Sequence, residues 1–323
     1  MRYRTLGRLA DGTPGPRVSA LCLGALPFGS TVGPAASYAV LDRFVERGGT
    51  FVDTANCYSF WVDGASGDES ELLLGRWLAE RGTRDDLVLS TKVGAHPAGP
   101  GPWPESAEGL AAEVVRRGVE GSLERLGTDR VELLYGHLDD RATPLEETVD
   151  AFGALVRDGI AGQVGISNQL TWRLERSRAL ARARGVAGYT CIQQRHSYLR
   201  PAAGTDFGTQ QHVTPELLDY ARAEPDLTLL AYTPLLSGAY TDPAKPLLPQ
   251  YRHAGAAAQL AVLREVAAET AATAGQVVLA WLMGGELPVL PVIGASSVAQ
   301  LDESLDAVEL ELTPEQRQRL DEA

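Results

Sequence analysis

The stretch VSALCLGALPFG, residues 18–29, distinguishes between two folds that the rest of the sequence would allow. It reads as a buried strand over Val18–Leu23, followed by a turn that holds Gly24 and Gly29. A doubly wound nucleotide-binding sheet would place a GxGxxG turn directly after its first strand. Because the glycines here are spaced differently, the stretch favours a closed α/β barrel over the doubly wound sheet.

Outward from this stretch, short apolar runs alternate with amphipathic ones along the chain. The predicted strands are Val18–Leu23, Thr50–Asp53, Leu87–Thr91, Val131–Tyr135, Val164–Ile166, Thr190–Gln193, Thr228–Ala231 and Val289–Ile293. The predicted helices include Ser37–Arg47, Glu69–Arg81, Glu108–Leu126, Leu145–Asp158, Thr171–Arg184, Pro215–Ala223 and Ala256–Met283. The strands lack a polar face, as expected of parallel strands buried on both sides. The alternation predicts one (β/α)8 TIM barrel domain over residues 1–323.

Composition and charge narrow the class of function. The chain has 323 residues, of which 44% are hydrophobic, and a formal net charge of -13. This charge argues against nucleic acid and anionic membranes as partners. The N-terminus has no apolar leader, and the three cysteines are sparse and lack metal-ligand spacing, so we expect a cytoplasmic protein without a metal site. No pattern indicates an oligomeric state.

Long connections rich in glycine, proline and aromatic residues follow several predicted strands. They are Cys57–Asp68, Gly94–Pro104, Leu199–Val213 and Leu235–Ala254. In a barrel these segments emerge at the C-terminal face, where active sites form. We therefore look for chemistry at the C-terminal ends of the strands.

Four polar side chains follow three successive predicted strands: Asp53, Tyr58, Lys92 and His137. Each has an ordinary explanation when taken singly, such as a helix cap, a loop anchor, an exposed lysine or a turn histidine. Together they suit proton delivery to a carbonyl, because a phenol with a usual pKa of about 10 needs help to act as an acid near neutral pH. We expect Lys92 to lower the pKa of Tyr58, with Asp53 holding the lysine and a neutral His137 donating a hydrogen bond.

The motifs around these residues resemble those of the aldo-keto reductases, in order and interval. They are FVDTANCY (51–58), LSTKVG (89–94), LLYGHLDD (133–140), GISN (165–168), IQQRHSYL (192–199), LLAYTPLLSG (229–238) and PVIGASSVAQLDES (291–304). The resemblance extends over nearly the whole chain. It implies a (β/α)8 barrel that binds NADPH across its mouth, without a separate dinucleotide-binding domain.

The resemblance also assigns roles to residues. It implies a catalytic tetrad of Asp53, Tyr58, Lys92 and His137, with Tyr58 as general acid. It implies cofactor contacts by Gly24, Ala25 and Asp53 near the first loops, Ser167, Asn168 and Gln193 at the carboxamide, Tyr232 against the nicotinamide ring, and Leu235 and Ser237 at the pyrophosphate. Ser296 and Ser297 precede the last helical stretch, whose N-terminal amides suit a phosphate, and with Gln300 they are the candidates for the phosphate end of the cofactor.

The sequence departs from the family pattern at the phosphate end. The segment 294–300 holds no basic residue, and Gln300 stands where an arginine is frequent. We expect NADPH as cofactor, with NADH possible. His137 indicates reduction of a carbonyl rather than a steroid double bond, so the expected substrate is a small aldehyde or ketone. The candidate pocket aromatics are Phe60, Trp61, Trp103 and Tyr240.

Two alternatives remain open from the sequence. One is a reductase of nucleotide-linked or other biosynthetic keto groups, which would need a local basic patch for a diphosphate. The other belongs to another class: a cofactor-binding regulatory subunit with secondary catalysis, related to the β subunits of potassium channels. Slow turnover and a stable protein partner would favour the second alternative.

Overall fold

A computed structural model describes residues 1–9 and 11–323 of the chain. Two short strands, β1 (Tyr3–Thr5) and β2 (Arg17–Ser19), pair antiparallel. The following strands are β3 (Cys22–Gly24), β4 (Phe51–Asp53), β5 (Val88–Val93), β6 (Val131–Gly136), β7 (Ala161–Ser167), β8 (Tyr189–Arg195), β9 (Thr228–Tyr232) and β10 (Leu290–Ile293). Strands β3 to β10 pair in parallel and in chain order, and β10 closes onto β3 with Val292 opposite Cys22. The predicted (β/α)8 TIM barrel is confirmed.

Helices cover the outside of the barrel in the described part of the chain. They are α1 (Pro34–Glu46), α2 (Glu69–Arg81), α3 (Ala112–Leu126), α4 (Leu145–Arg157), α5 (Thr171–Arg184), α6 (Pro215–Ala223), α7 (Ala254–Thr270), α8 (Ala274–Met283), α9 (Val298–Asp306) and α10 (Pro314–Glu322). Apolar residues of the helices and of the outward strand positions form one large core. None of the described helices is by itself long and apolar enough to cross a membrane; α7 and α8, bent by 95°, pass that test only as a pair, on length and composition.

Strand alternation divides the residues of β4 to β6 between the outer core and the barrel interior. Phe51, Val88 and Leu133 pack in a second apolar cluster that fills the barrel, whereas their neighbours pack outward against the helices. Side chains two residues apart on a strand share a face. Asp53 and Lys92 therefore point into the barrel at its C-terminal end.

The β1–β2 hairpin closes the opposite end of the barrel. Leu6, which follows β1, is fully buried within the interior cluster. The carbonyl oxygen of Leu6 accepts a hydrogen bond from Gln163 Nε2 at 2.9 Å, and the Gly7 amide donates to Thr228 Oγ1 at 2.7 Å. Gly7 has a positive φ of 61°, and a Cβ there would lie 2.9 Å from Cβ of Thr190. A glycine therefore lets this turn sit directly against the strand ends.

Two predicted elements are each divided in the structure. The predicted strand Val18–Leu23 is two elements, because Arg17–Ser19 pairs with the hairpin and only Cys22–Gly24 enters the barrel. The predicted helix Ala256–Met283 is interrupted at Ala271, which has a φ of 51°, and Thr273 then caps α8 by a reciprocal capping box with Gln276. A Thr-x-x-Gln capping box starts a new helix.

Helix α3 begins at Ala112 rather than at the predicted Glu108. The Glu108 carboxylate accepts hydrogen bonds from the Gly94 amide at 3.0 Å and from Asn56 Nδ2 at 3.1 Å. The residue that the sequence pattern placed in the helix thus anchors two loops that follow β4 and β5.

Candidate active site

The four predicted catalytic side chains meet at the C-terminal mouth of the barrel. Lys92 Nζ donates a hydrogen bond to Tyr58 Oη at 2.6 Å and to the carbonyl oxygen of Thr54 at 2.9 Å. Lys92 also forms an ion pair with the Asp53 carboxylate. The His137 ring stands nearly perpendicular to that of Tyr58, with 5.8 Å between their centroids. Three strands and the loops after them supply these groups.

The Asp53–Lys92 ion pair is almost completely buried, since each side chain is 1% exposed. Asp53 Oδ1 accepts hydrogen bonds from Ser90 Oγ at 2.6 Å and from Gln193 Nε2 at 3.2 Å. A buried ion pair is tolerated only where further hydrogen bonds satisfy its atoms. Ser90 and Gln193 supply them here, which fixes the orientation of the carboxylate.

The pKa of Tyr58 moves in the opposite direction to the sequence-based expectation. Burial raises the pKa of this phenol well above its usual value, and the Asp53 carboxylate, whose oxygen lies 3.4 Å from Tyr58 Oη, raises it further. Desolvation disfavours the phenolate, and the Asp53 carboxylate offsets the effect of the Lys92 ammonium charge on Tyr58. The net shift of this pKa is therefore upward rather than downward as expected, and Tyr58 holds its proton at neutral pH.

His137 is neutral in this environment. Burial, and secondly the charge of Lys92, lower the pKa of its imidazole to about 3. The backbone is held on both sides, because the His137 amide donates to the Val93 carbonyl at 2.9 Å and its own carbonyl accepts from Asn168 Nδ2 at 3.1 Å. Cys57 Sγ lies 3.4 Å from Nδ1 of the ring.

A cavity of about 1080 Å³ opens over these groups. Tyr58, His137 and Cys57 line it, whereas Asp53 and Lys92 do not and lie behind the tyrosine. Most predicted cofactor residues are on its wall: Gly24, Ser167, Asn168, Gln193, Tyr232, Leu235, Ser237, Ser296 and Gln300. Tyr58 and His137 of the tetrad therefore face the same continuous space as these residues.

Three predicted cofactor contacts are not on the cavity wall. Asp53 is engaged with Lys92, as described above. Ala25 is fully buried in the core, and its amide donates to the Asp53 carbonyl at 2.8 Å. Ser297 is the N-cap of α9, and its Oγ accepts from the Gln300 amide at 3.3 Å. The structure thus shows packing, pairing or capping contacts for these residues, and their contact with a cofactor stays a prediction.

Asn168, expected to bind a carboxamide, is already saturated with hydrogen bonds inside the protein. Its Oδ1 accepts from Tyr232 Oη at 2.7 Å and from the Gln211 amide at 3.1 Å. Its Nδ2 donates to the His137 carbonyl and to Ser167 Oγ, each at 3.1 Å. An amide side chain offers two donors and two acceptor positions. Asn168 therefore ties together the ends of β6, β7 and β9.

The cavity wall carries a cation that lies outside the motifs described above. Ser296 donates to Gln300 Oε1 through its amide and its hydroxyl, each at 2.9 Å, so these two residues pair with each other. Among the described residues, Lys245 is the only lysine or arginine on the cavity wall. Its Nζ lies 3.2 Å from the position of a Cβ on Gly238 and 3.9 Å from the Asp242 carboxylate.

A signal for Lys245 was present in the sequence. The chain has 29 lysine and arginine residues, and only Lys92 and Lys245 are lysines. Both face the site, one behind Tyr58 and one on the cavity wall. In a chain that uses arginine almost everywhere else, each lysine was a position to examine.

Aromatic side chains form one side of the cavity. Phe60 contacts Trp61 edge to face, with centroids 5.1 Å apart, and its centroid lies 5.8 Å from that of Trp103. Trp103 is anchored by a 3.0 Å hydrogen bond to the Ala95 carbonyl, and Tyr240 hydrogen-bonds Ser197 Oγ at 2.6 Å. All four candidate aromatics line the cavity.

Within residues 1–9 and 11–323, no group of three or more histidine, cysteine, aspartate or glutamate side chains has the arrangement of a metal site. The three cysteines, Cys22, Cys57 and Cys191, are buried and unpaired in the same ranges.

Comparison with known proteins agrees with the fold. The profile of the Aldo/keto reductase family matches residues 20–323. The chain is 33% identical to an uncharacterized oxidoreductase, YrpG, of Bacillus subtilis, over 98% of this chain and 93% of that protein. It is 33% identical to the norsolorinic acid reductase stcV of Emericella nidulans (97% and 79%), and 29% identical to an aryl-alcohol dehydrogenase, GME11368, of Pestalotiopsis microspora (97% and 81%).

A closed (β/α)8 barrel with these reductase relatives defines the class of the protein, an oxidoreductase that acts on small carbonyl compounds. Within that class, the chain belongs to the aldo/keto reductase family.

Proposed function

We propose that this protein is an NADPH-dependent reductase that converts an aldehyde or ketone to an alcohol, with Tyr58 giving its proton to the carbonyl oxygen. The observation that carries the proposal is the position of the Tyr58 hydroxyl. It belongs to a residue that lines the cavity, and Lys92 Nζ lies 2.6 Å from its oxygen on the buried side. A proton donor thus faces the space where a substrate fits, with a cation behind it.

Each member of the tetrad has a role in this proposal. Tyr58 keeps its proton until a substrate oxygen accepts it, since burial holds the pKa of the phenol high. Lys92 then stabilises the phenolate that forms, through the hydrogen bond already in place. Asp53 keeps Lys92 oriented, and neutral His137 hydrogen-bonds the carbonyl oxygen. General acid catalysis of this kind contributes about 10²- to 10⁴-fold.

The bound dinucleotide would supply a hydride to the carbonyl carbon. The cavity fits a molecule of that size and chemistry in three respects. It has a volume of about 1080 Å³. Lys245 supplies a positive charge next to the Ser237–Gly238 segment. Tyr232 offers a ring at the end of β9.

The proposal is tested by cofactor oxidation with a panel of aldehydes and ketones. We expect turnover of at least one carbonyl with NADPH, and a smaller kcat/KM with NADH. A protein that binds the dinucleotide tightly but reduces no member of a broad panel would contradict the reductase proposal and favour a cofactor-binding subunit. Reduction with NADH alone would contradict the cofactor assignment.

Lys245→Gln is expected to weaken the binding of NADPH and of NADH alike. Lys245 lies next to the Ser237–Gly238 segment that we propose as the contact to the pyrophosphate, which both dinucleotides carry. A charge-assisted hydrogen bond to a phosphate contributes roughly 1.5–3 kcal/mol, and partial exposure places Lys245 at the low end, so we expect KM for each dinucleotide to rise about 10-fold. Lys245→Arg is the matched control, since it keeps the charge. An unchanged KM for both dinucleotides would show that Lys245 does not contact the pyrophosphate.

We further propose that the preferred carbonyl carries an aromatic ring. Phe60, Trp61 and Trp103 form a continuous aromatic side of the cavity that begins two residues after Tyr58. Two relatives are named as a norsolorinic acid reductase and an aryl-alcohol dehydrogenase, which supports the same class of substrate. Aromatic pairs contribute about 0.5–1.5 kcal/mol beyond their area burial.

Trp61→Ala is expected to lower kcat/KM for an aromatic aldehyde by about 3- to 10-fold relative to an aliphatic aldehyde of similar length. Trp61 is 56% exposed and faces the cavity, so the substitution should leave stability nearly unchanged. Trp172→Ala is the control, because Trp172 is 50% exposed but does not line the cavity. An equal loss for both substrates would remove Trp61 from substrate selection.

A further inference from the structure

Cys57, the residue directly before the proposed general acid Tyr58, contacts His137 of the tetrad. Its Sγ lies 3.4 Å from Nδ1 of His137. Both residues line the cavity, but Cys57 is only 2% exposed. The thiol is part of a small cluster with Ala55, Tyr58 and Ala95, against which Phe60 and Leu138 pack. The contact therefore joins two residues of the site at the wall of the cavity.

We propose that Cys57 is a positioning residue that decides which ring nitrogen of His137 carries the proton. In this proposal the thiol S–H donates a hydrogen bond to Nδ1. The single proton of the neutral imidazole then resides on Nε2, where it is available to the carbonyl oxygen of the substrate. The inference rests on the proposed function, because it assigns His137 the task of hydrogen-bonding that oxygen.

The direction of the hydrogen bond follows from the chemistry of the two groups. A thiol is a weak donor, and its sulfur is a poor acceptor, whereas the unprotonated nitrogen of imidazole is a good acceptor. Burial raises the pKa of the Cys57 thiol to about 12, so it keeps its proton. Burial also lowers the pKa of His137 to about 3, so one ring nitrogen is free to accept. The arrangement S–H···Nδ1 satisfies both groups.

The tautomer matters because the reverse arrangement would disable the histidine in its proposed role. A proton on Nδ1 would leave Nε2 as a bare acceptor, unable to donate to a carbonyl oxygen and able to compete for the Tyr58 proton. The identity of the protonated nitrogen is set by the partner of the other nitrogen. In the described part of the chain, Cys57 Sγ is the hydrogen-bond partner of Nδ1.

Hydrogen bonds fix the backbone of His137, so only the orientation of its imidazole ring is left to be set by other contacts. The His137 amide donates to the Val93 carbonyl, and the His137 carbonyl accepts from Asn168. The segment that carries Cys57 is held as well: a Cβ on Gly67, whose φ is 105°, would stand 3.2 Å from the Cys57 Cα, so only a glycine lets the loop pack this closely. The backbone segments that carry Cys57 and His137 are thus held independently of each other, and the thiol–imidazole contact orients the His137 ring.

The tautomer is measured directly by two-bond ¹H–¹⁵N correlation NMR on protein labelled with ¹⁵N-histidine, with His137 assigned by a His137→Gln variant. The wild-type protein is expected to show His137 in the Nε2–H form. Cys57→Ser keeps a donor and should preserve this form. Cys57→Val removes the donor at similar volume and should give a mixture of tautomers. Cys57→Ala repeats the test with a smaller side chain if valine is not accommodated.

Steady-state kinetics provides the second measurement. With one weak hydrogen bond lost, Cys57→Val is expected to lower kcat for carbonyl reduction by about 2- to 10-fold, while KM for the dinucleotide stays unchanged. Cys57→Ser should recover most of the rate. If Cys57 served only to fill space, Cys57→Val would keep the wild-type kcat and Cys57→Ser would have the lower kcat. That order is the reverse of the one we expect.

The outcomes separate this inference from the proposed function. An Nδ1–H tautomer in the wild-type protein, or an unchanged tautomer in both Cys57→Val and Cys57→Ala, overturns the role of Cys57 even if the protein reduces carbonyls. A protein that reduces no carbonyl overturns the proposed function, whereas the NMR measurement still decides whether Cys57 sets the tautomer.

Discussion

Replacing Tyr58 by phenylalanine is expected to lower kcat/KM for carbonyl reduction by about 10²- to 10⁴-fold. The substitution removes the atom of Tyr58 to which Lys92 donates a hydrogen bond, and with it the proton that we propose is given to the carbonyl oxygen. The aromatic ring remains in place, so dinucleotide affinity should be retained. The measurement is a comparison of kcat/KM for the best carbonyl, alongside cofactor titration of both proteins.

Tyr135→Phe is the matched control for this prediction. Tyr135 is a fully buried tyrosine in the barrel interior, and Lys92 Nζ lies 5.8 Å from its ring centroid, but it does not line the cavity. We expect its loss of a hydroxyl group to change kcat/KM far less. Full activity in Tyr58→Phe would exclude Tyr58 as the proton donor.

The second large effect is expected on stability rather than on rate. Asp53→Asn removes the negative charge next to Lys92, whose ammonium group is then buried without a counter-ion. Breaking a buried ion pair on one side typically costs about 3–5 kcal/mol. We therefore expect the free energy of unfolding, measured by chemical denaturation without cofactor, to fall by an amount in this range.

A double variant checks that the loss of stability in Asp53→Asn arises from the unpaired charge of Lys92. Asp53→Asn combined with Lys92→Met removes both charges, and should be more stable than Asp53→Asn alone. Glu265→Gln, which breaks an exposed pair with Arg319, should have little effect, since exposed pairs are screened by water. If Asp53→Asn were as stable as the wild-type protein, Lys92 would not depend on this carboxylate.

The barrel and the position of the tetrad were predictable because both depend on simple periodicities. Strand–helix alternation gives the architecture. The parity of positions on β4 and β5 then sends Asp53 and Lys92 inward, at the end where the long loops emerge. The boundary inside Val18–Leu23 was not predictable, because the apolar run continues across it. Only pairing with β1 and β4 divides it.

Other features depend on burial or on side-chain direction, which a motif does not encode. The pKa of Tyr58 is set by how much water surrounds the phenol and by the distance to Asp53, and neither can be read from the order of residues. Ser297 occupies the expected position in the chain, but its hydroxyl caps α9. Lys245 lies far along the chain from the phosphate-end motif, and only the folded barrel brings both to one cavity.

The β1–β2 hairpin also sets an order of events during synthesis of the chain. Its turn at Leu6 and Gly7 is held by Gln163 and Thr228, which are translated long after it. The hairpin cannot seat until residue 228 has left the ribosome, and its apolar Leu6 stays without its partners until then. Contacts of such high sequence separation slow folding. The base of the barrel is therefore closed by contacts between residues 157 and 221 positions apart in the sequence.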